Sequence, residues 1–202
     1  MAWTPRRLKL PKPSHREKLL EEGLKVVLSQ GYNGASVRDI VRAAAVPQGS
    51  FTNHFSSKEA FAQQVLDRYF STVSCKIENT LRNDSITPLH RLRAWLDAQI
   101  DFLKQSEFRS GCLIGNFTME ASSQSGSIRR RLAAIIQNIE GSLAYCLNAA
   151  VDAGELSAST DVGEVASFVY SSWQGAILQA KVEQRAEPLE RFKKVLFSQL
   201  LR

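Results

Sequence analysis

The chain has 202 residues, 44% of them hydrophobic, which is enough to bury a sizeable core in one large domain or in a small domain joined to a larger one. Charges interrupt every apolar run before it reaches the roughly 18 residues of a membrane-spanning helix, and the start of the chain lacks the apolar stretch of a signal peptide. Three widely spaced cysteines, Cys75, Cys112 and Cys146, argue against a disulfide framework or a zinc site, so we expect a protein of the reducing cytoplasm.

The positive charge is concentrated in the first third of the chain. The net charge is +6, and residues 1–62 contain ten basic and five acidic side chains. The remaining 140 residues contain 16 basic and 15 acidic side chains. This asymmetry predicts a module that faces a polyanion, joined to a nearly neutral body. The alternative is a solvated basic face without a binding role.

Residues 1–13, MAWTPRRLKLPKP, are basic and interrupted by prolines, and we expect them to form a flexible arm. Such an arm can follow phosphates or reach into a minor groove. The alternative is a tail that serves only solubility.

After this arm, two helices are predicted between residues 14 and 47. The first begins after Ser14 and ends at Gly31, and the second begins after Ser36 and stops before Pro47. Each start is followed by an acidic residue three positions later, which is the spacing of a capping box. An apolar stripe at helical spacing follows each start and predicts one buried face.

A short third helix is predicted over residues 48–54, and a long fourth helix is predicted to begin after Ser56. Phe51 and Phe55 are four positions apart and are expected to point into the core. Two short helices joined by a tight turn and braced by longer ones describe a helix-turn-helix. Residues 14–60 are therefore predicted to be a DNA-binding domain, and residues 61–202 a larger helical domain.

Gly49 lies near the start of the short third helix, where glycine costs about 1 kcal/mol relative to alanine. In a helix-turn-helix this end enters the major groove, and a residue without a side chain lets the backbone approach DNA closely. The alternative is that Gly49 only eases a turn after Pro47. Neighbouring polar residues can contact bases or phosphates. The candidate DNA-contacting residues are Ser36, Val37, Arg38, Gln48, Gly49, Ser50, Thr52, Asn53, His54 and Lys58.

The stretch ASVRDIVRAAAVPQGSFTNHFSSKEAF resembles the DNA-binding signature of the TetR family of transcriptional repressors, and the similarity extends over residues 15–66. The resemblance implies an all-α homodimer in which each subunit has a three-helix DNA reader and a helical, ligand-sensing body. It also implies a palindromic double-stranded DNA operator and a repressor that an effector releases. Members of the family commonly carry a DNA-contacting tyrosine at the position of Thr52, so this chain departs from the pattern there.

The body is predicted to consist of helices over residues 89–105, from near Cys112, and over residues 127–153, 161–184 and 188–201. The chain contains no recognisable catalytic or metal-binding motif, because its three histidines, His15, His54 and His90, are far apart and no base neighbours Ser110-Gly111-Cys112. We therefore expect neither an enzyme nor a cofactor.

The last two predicted helices, over residues 161–184 and 188–201, combine small residues with large apolar ones. Two such faces are expected to pack as a four-helix dimer interface. The alternative is an ordinary core within one chain. The contact area is predicted to come from Phe168, Trp173, Ile177, Leu178, Leu189, Phe192, Leu196 and Leu200.

Cys112 lies in the segment RSGCLIGNF, after a glycine and three residues after Arg109. Positive charge and a helix N-terminus favour a reactive thiolate. The SGCL motif, with WQGAILQAKV and EPLERF, resembles the TetR branch that includes the N-ethylmaleimide-responsive repressors, in which the aligned cysteine senses electrophiles and oxidants. The alternative is an unreactive Cys112 beside a pocket for a mostly apolar effector. Candidate lining residues are Trp95, Phe102, Phe117, Met119, Trp173 and Gln174.

These features together predict a homodimeric DNA-binding repressor that responds to a small molecule or to modification of a cysteine. The runner-up is an architectural DNA-binding protein without an effector response, and an enzyme is a distant third.

Overall fold

The computed structural model describes residues 14–201, and within that range no β-strand occurs, which confirms the predicted all-α fold. The predicted basic arm, residues 1–13, lies outside the described residues. None of the helices described is long and apolar enough to cross a membrane. The helices are α1 (His15–Gly34), α2 (Val37–Ala43), α3 (Ser50–His54), α4 (Lys58–Asn79), α5 (Pro88–Lys104), α6 (Leu113–Ala121), α7 (Gly126–Asp152), α8 (Val162–Glu183) and α9 (Glu187–Val195), followed by a π-helical turn, Leu196–Leu200.

The N-terminal unit, which we call the reader, consists of α1, α2, α3 and the first turns of α4. Its centre is an aromatic cluster in which the rings of Phe51, Phe55 and Phe61 lie 5.1 to 5.3 Å apart. A Cβ atom at Gly23 of α1 would lie only 2.4 Å from the Phe61 ring, so the absence of a side chain lets α1 approach α4. The predicted inward orientation of Phe51 and Phe55 is confirmed.

Serine side chains cap the starts of α1, α2 and α4. Ser14 accepts a hydrogen bond from the backbone N–H of the third residue of α1, and Ser36 and Asp39 form both bonds of a capping box. The prediction that α4 begins after Ser56 is wrong by one residue, because the cap is Ser57, whose hydroxyl accepts from the Ala60 N–H at 3.0 Å.

The prediction that the first helix ends at Gly31 is confirmed in part, because two helical segments of α1 meet at a kink at that residue. Gly31 has a φ of 76° and interrupts the helix, but one further turn follows and α1 ends at Gly34. That extra turn lies against α6, and the backbone N–H of Asn33 donates to the side chain of Glu120. A tertiary contact therefore extends the helix beyond the glycine that local sequence marks as its end.

The helix α4 is continuous from the reader into the body, across the division predicted at residue 60. Polar side chains join the two parts beside it: the Glu59 carboxylate accepts hydrogen bonds from the hydroxyls of Ser125 and Ser127, and Asp67 pairs with Arg131. These bonds anchor α4 to the start of α7. Behind them α7, α8 and α9 pack together, and their buried apolar residues form the core of the body.

Candidate nucleic-acid interface and effector cavity

Most of the predicted DNA-contacting residues lie on one exposed end of the reader, on α2, α3 and the turn between them. Arg38 makes no ion pair with any residue between 14 and 201, so its guanidinium is available to an external anion. The exposed members of the set are Ser36, Arg38, Gln48, Gly49, Thr52, Asn53 and His54.

Gly49 precedes α3 with an ordinary helical backbone, at φ −69° and ψ −11°. A Cβ atom placed there meets nothing within 4 Å. Neither the backbone conformation nor packing among residues 14–201 therefore requires a glycine. The missing side chain leaves bare backbone at the exposed end of α3, which is the arrangement that close approach to DNA needs.

Two of the predicted contacts have other roles in the structure. Ser50 is buried, and its hydroxyl lies 3.2 Å from Nδ1 of His15 on α1, so it joins two helices of the reader instead of facing DNA. Val37 is half-buried and packs against the core. The hydroxyl of Thr52 donates to the backbone oxygen of Gly49 at 3.1 Å, which leaves its oxygen free to accept.

Lys58, at the first position of α4, is held by residues of α1 and α6. Its ammonium lies 4.6 Å from the centre of the Tyr32 ring, a distance that allows cation–π attraction. Partial burial lowers the pKa of Lys58, and the charge of Glu120 acts against that shift. The position of this cation therefore depends on the end of α6.

The C-terminal half of α6 packs against the end of α1. The Phe117 ring lies 5.2 Å from Tyr32, and the Glu120 carboxylate accepts the Asn33 backbone N–H at 2.8 Å. A Cβ atom at Gly31 would lie 2.5 Å from the same carboxylate, so a larger residue would have to displace it as well as adopt a positive φ of 76°. An apolar contact and a charged hydrogen bond thus attach α6 to the reader.

At the other end of α6, Cys112 lies in the wall of a cavity of about 50 Å³. The cavity lies between α4, α5, α8 and the segment that leads into α6. Its walls are mostly apolar and aromatic, which is typical of small-molecule sites. The lining residues are Tyr69, Thr72, Val73, Lys76, Trp95, Gln99, Phe102, Leu103, Gly111, Cys112 and Ile177.

Two hydrogen-bond donors face the sulfur of Cys112. The side-chain nitrogen of Gln174 lies 3.7 Å from it, and the Tyr69 hydroxyl is a close neighbour. Burial raises the pKa of Tyr69 well above its usual value, and the neighbouring Cys112 adds to that shift, so the phenol stays protonated. The pKa of Tyr170 is also raised, mainly by burial and to a smaller extent by the nearby Cys112.

The predicted contribution of Arg109 to this site is wrong. Its guanidinium pairs with Glu107 at 2.7 Å and is mostly exposed to solvent. The cation that lines the cleft behind Cys112 is Lys181 of α8, whose ammonium lies 3.5 Å from Oδ1 of Asn116.

The structure brings together some of the predicted effector residues and separates others. Trp95, Phe102 and Cys112 line the cavity, and Gln174 lies behind Cys112. Phe117 is not a lining residue because it packs on Tyr32, and Trp173 is buried against Phe192. Met119 points away from the cavity and is 71% exposed.

Sequence reasoning missed Tyr69, Lys76 and Gln99. The sequence feature that could have identified them is helical spacing. Tyr69 and Lys76 are seven positions apart on α4, and Gln99 is four positions after Trp95 on α5.

An exposed stripe follows one side of α8. Phe168, Leu178 and Val182 are 51%, 45% and 84% exposed, with Ser171 and Gly175 between them at alternating three- and four-residue spacing. A seam with this spacing suits packing against another helix. The prediction that Trp173 and Ile177 supply contact area to a partner is wrong, as are those for Leu189 and Leu196, because all four are buried within the chain.

A helix-turn-helix reader attached to a larger helical body defines a DNA-binding regulator. Among residues 14–201, no group of three or more His, Cys, Asp or Glu side chains could hold a metal ion. The family described as bacterial regulatory proteins, tetR family, matches residues 19–65, and the tetracyclin repressor-like C-terminal domain matches residues 88–196. The chain belongs to the TetR family of transcriptional regulators.

Individual relatives agree with this assignment. The HTH-type transcriptional repressor DhaR of Mycobacterium sp. strain GP1 is 41% identical over 186 residues, which cover 92% of each chain. The repressor NemR of Escherichia coli K12 is 30% identical over 178 residues, 87% of this chain and 88% of NemR. A regulatory protein TetR from Rhodobacter sphaeroides has a crystal structure that superimposes with a TM-score of 0.85 at 30% identity, covering 89% of this chain and 95% of that one. The chain is accordingly a transcriptional repressor and not an enzyme.

Proposed function

We propose that the protein acts in the cytoplasm as a homodimeric repressor that binds a palindromic operator and leaves it when the cavity takes up a small molecule or when Cys112 is modified. The observation that carries this proposal is the position of α6. Cys112 at the start of α6 lines the cavity, and Glu120 near its other end bonds to α1 of the reader.

The helix α6 is short enough to transmit a displacement as one body. It has 9 residues, about 13 Å at the usual rise of 1.5 Å per residue. A ligand or adduct at Cys112 displaces the first turn of α6, and the displacement reaches Phe117 and Glu120 at the reader. Because the end of α1 lies against those residues and Lys58 lies on Tyr32 of α1, the two readers of a dimer lose the separation that matches their half-sites.

The exposed stripe on α8 supports the homodimer. Apolar side chains that stay exposed in one chain are buried when two copies of α8 pack against each other, and Ser171 and Gly175 let the helices approach closely. The adjoining groove between Phe168 and Leu200 offers a second apolar surface for the last helix of the partner. Both features belong to the predicted helices 161–184 and 188–201.

Two features support the proposal of covalent sensing and, with it, the proposal that the chain belongs to the electrophile-responsive branch. NemR is 30% identical, and the sulfur of Cys112 lies in a cavity wall beside two hydrogen-bond donors. With a maleimide, the sulfur adds to one carbon of the C=C bond and a proton from water goes to the other, so the step is redox-neutral.

A binding titration tests the regulator directly. Purified protein is titrated onto the intergenic DNA that flanks its own gene, in the presence of unrelated competitor DNA at fixed salt concentration. We expect a specific complex that survives excess competitor and protects two symmetric half-sites from cleavage. Equal affinity for flanking and competitor DNA would contradict the proposal and favour an architectural DNA-binding protein.

A further inference from the structure

The cavity beside Cys112 has two opposed walls. On α4, Tyr69, Val73 and Lys76 follow one face at three- and four-residue spacing, and on α5 the facing residues are Trp95, Gln99 and Phe102. The walls are mostly apolar and aromatic, and Lys76 and Gln99 are polar side chains among them. A ligand that fits them needs an apolar body and a polar group.

Lys76 is the only charged residue among those that line the cavity, and no carboxylate accompanies it there. Its ammonium lies 4.4 Å from the centre of the Phe102 ring, and it makes no ion pair within the part of the chain that the structure describes. Burial lowers the pKa of Lys76, which reflects the cost of a cation without a partner. An anion in the cavity removes that cost.

Gln99 provides a second unsatisfied donor. Its side-chain nitrogen is buried and has no hydrogen-bond partner among residues 14–201. A buried donor without an acceptor costs free energy, and native proteins rarely leave one unless something else binds there. The terminal torsion of glutamine is soft, so its amide can turn toward a ligand in the cavity.

We propose that the effector of this cavity is a small organic carboxylate, bound with its oxygens between the Lys76 ammonium and the Gln99 amide and its apolar body against Trp95 and Phe102. This inference rests on the proposed function, in which the same cavity controls DNA binding. The single positive charge of the lining excludes cationic ligands. The volume of about 50 Å³ suits a molecule of a few non-hydrogen atoms.

Calorimetry with three probes of matched size tests the charge requirement. Butyrate, butan-1-ol and butylamine are titrated into the full-length protein at constant ionic strength. We expect saturable binding of butyrate and at least about tenfold weaker binding of the other two, because a charge-assisted bond is missing in both. Binding of butan-1-ol as tight as that of butyrate overturns the inference.

Three variants test the residues. Lys76→Met and Gln99→Leu keep side-chain bulk but remove the donors, and each is expected to weaken butyrate binding about tenfold or more. Lys76→Arg keeps the positive charge and is expected to bind butyrate. Lys104→Met, which removes an exposed lysine of α5 that pairs with Asp101, is the matched control and is expected to bind like the parent. Unchanged butyrate binding in both Lys76→Met and Gln99→Leu overturns the inference. If only one of these variants folds stably, unchanged binding in that variant overturns it.

Operator binding separates this inference from the function on which it rests. If the protein does not prefer its operator in the absence of any probe, the proposed function fails, whatever butyrate does. If the protein binds its operator but does not bind butyrate, the carboxylate inference alone fails. Butyrate that binds through Lys76 and also releases the operator supports both. Butyrate that binds but leaves operator affinity unchanged contradicts its role as an effector.

Discussion

The carboxylate of Glu120 accepts the backbone N–H of Asn33 at 2.8 Å, and this bond joins α6 of the body to the last turn of α1 in the reader. The side-chain amide of Asn33 donates back to the main-chain oxygen of Glu120 at 3.4 Å. The same carboxylate lies beside Gly31, where α1 is interrupted. One side chain of α6 therefore joins the body to the DNA reader.

Replacing Glu120 tests whether this junction transmits the signal. Glu120→Ala is expected to lower the free energy of unfolding by about 1 kcal/mol, since it leaves a partly solvated N–H unpaired. It is also expected to reduce the change in operator affinity on effector binding or Cys112 modification, measured by DNA titration. The control is Glu155→Ala, which removes an equivalent bond to the Leu89 N–H at 2.8 Å outside the junction. An equal response in Glu120→Ala and the parent would rule out this path.

Gly31 is expected to be indispensable to the fold of the reader. Its φ of 76° is strained for other residues, and a methyl group there collides with the Glu120 carboxylate. Gly31→Ala should lower the free energy of unfolding by about 1–3 kcal/mol in urea denaturation. In contrast, Gly141→Ala, inside α7 with open space around it, should raise stability by about 0.5–1 kcal/mol. An unchanged free energy of unfolding in Gly31→Ala would contradict this account of Gly31.

Gly49 gives the opposite pattern, because the fold does not require it. Gly49→Ala should leave the free energy of unfolding unchanged or slightly higher, since the backbone is helical and the space around it is empty. Operator affinity should fall about tenfold or more, because the new methyl group separates the backbone from DNA. The two quantities are measured by urea denaturation and DNA titration. Unchanged operator affinity in Gly49→Ala would mean that Gly49 only eases the turn after Pro47.

Local sequence signals were sufficient to predict most helix starts and the identity of the reader. Ser36 with Asp39 and Asp161 with Glu164 form the expected caps because capping depends on neighbours within one turn. The errors arose where a distant segment decides the outcome. Glu120 extends α1 past Gly31, and nothing near either residue in the sequence indicates that contact.

The candidate site was harder to predict than the fold, for a geometric reason. Helical periodicity tells which residues share a face but not whether that face meets the core, a cavity or another subunit. Trp173 and Phe168 were both expected at the dimer interface, yet one is buried and the other exposed. Lys76 was overlooked because a single lysine on a long helix is usually solvated surface.

The exposed stripe on α8 is expected to hold the dimer together. Phe168→Asp and Val182→Asp each place a charge where two apolar faces meet, so either change should shift the protein to a monomer at micromolar concentration. Sedimentation velocity measures this directly. The control is Met119→Asp, another exposed apolar residue outside the stripe, which should remain dimeric. Dimers in both stripe variants would place the interface elsewhere.

The release of DNA on modification of Cys112 is most directly measured in a Cys75→Ser protein. The replacement removes the exposed thiol, and burial raises the pKa of Cys146 to about 11, which keeps that thiol protonated. Operator affinity is determined before and after N-ethylmaleimide treatment, with intact mass reporting the adduct. We predict one adduct and a loss of affinity of about tenfold or more, and neither effect in Cys75→Ser/Cys112→Ser. A complete adduct on Cys112 with unchanged operator affinity would contradict the proposed coupling between cavity and reader.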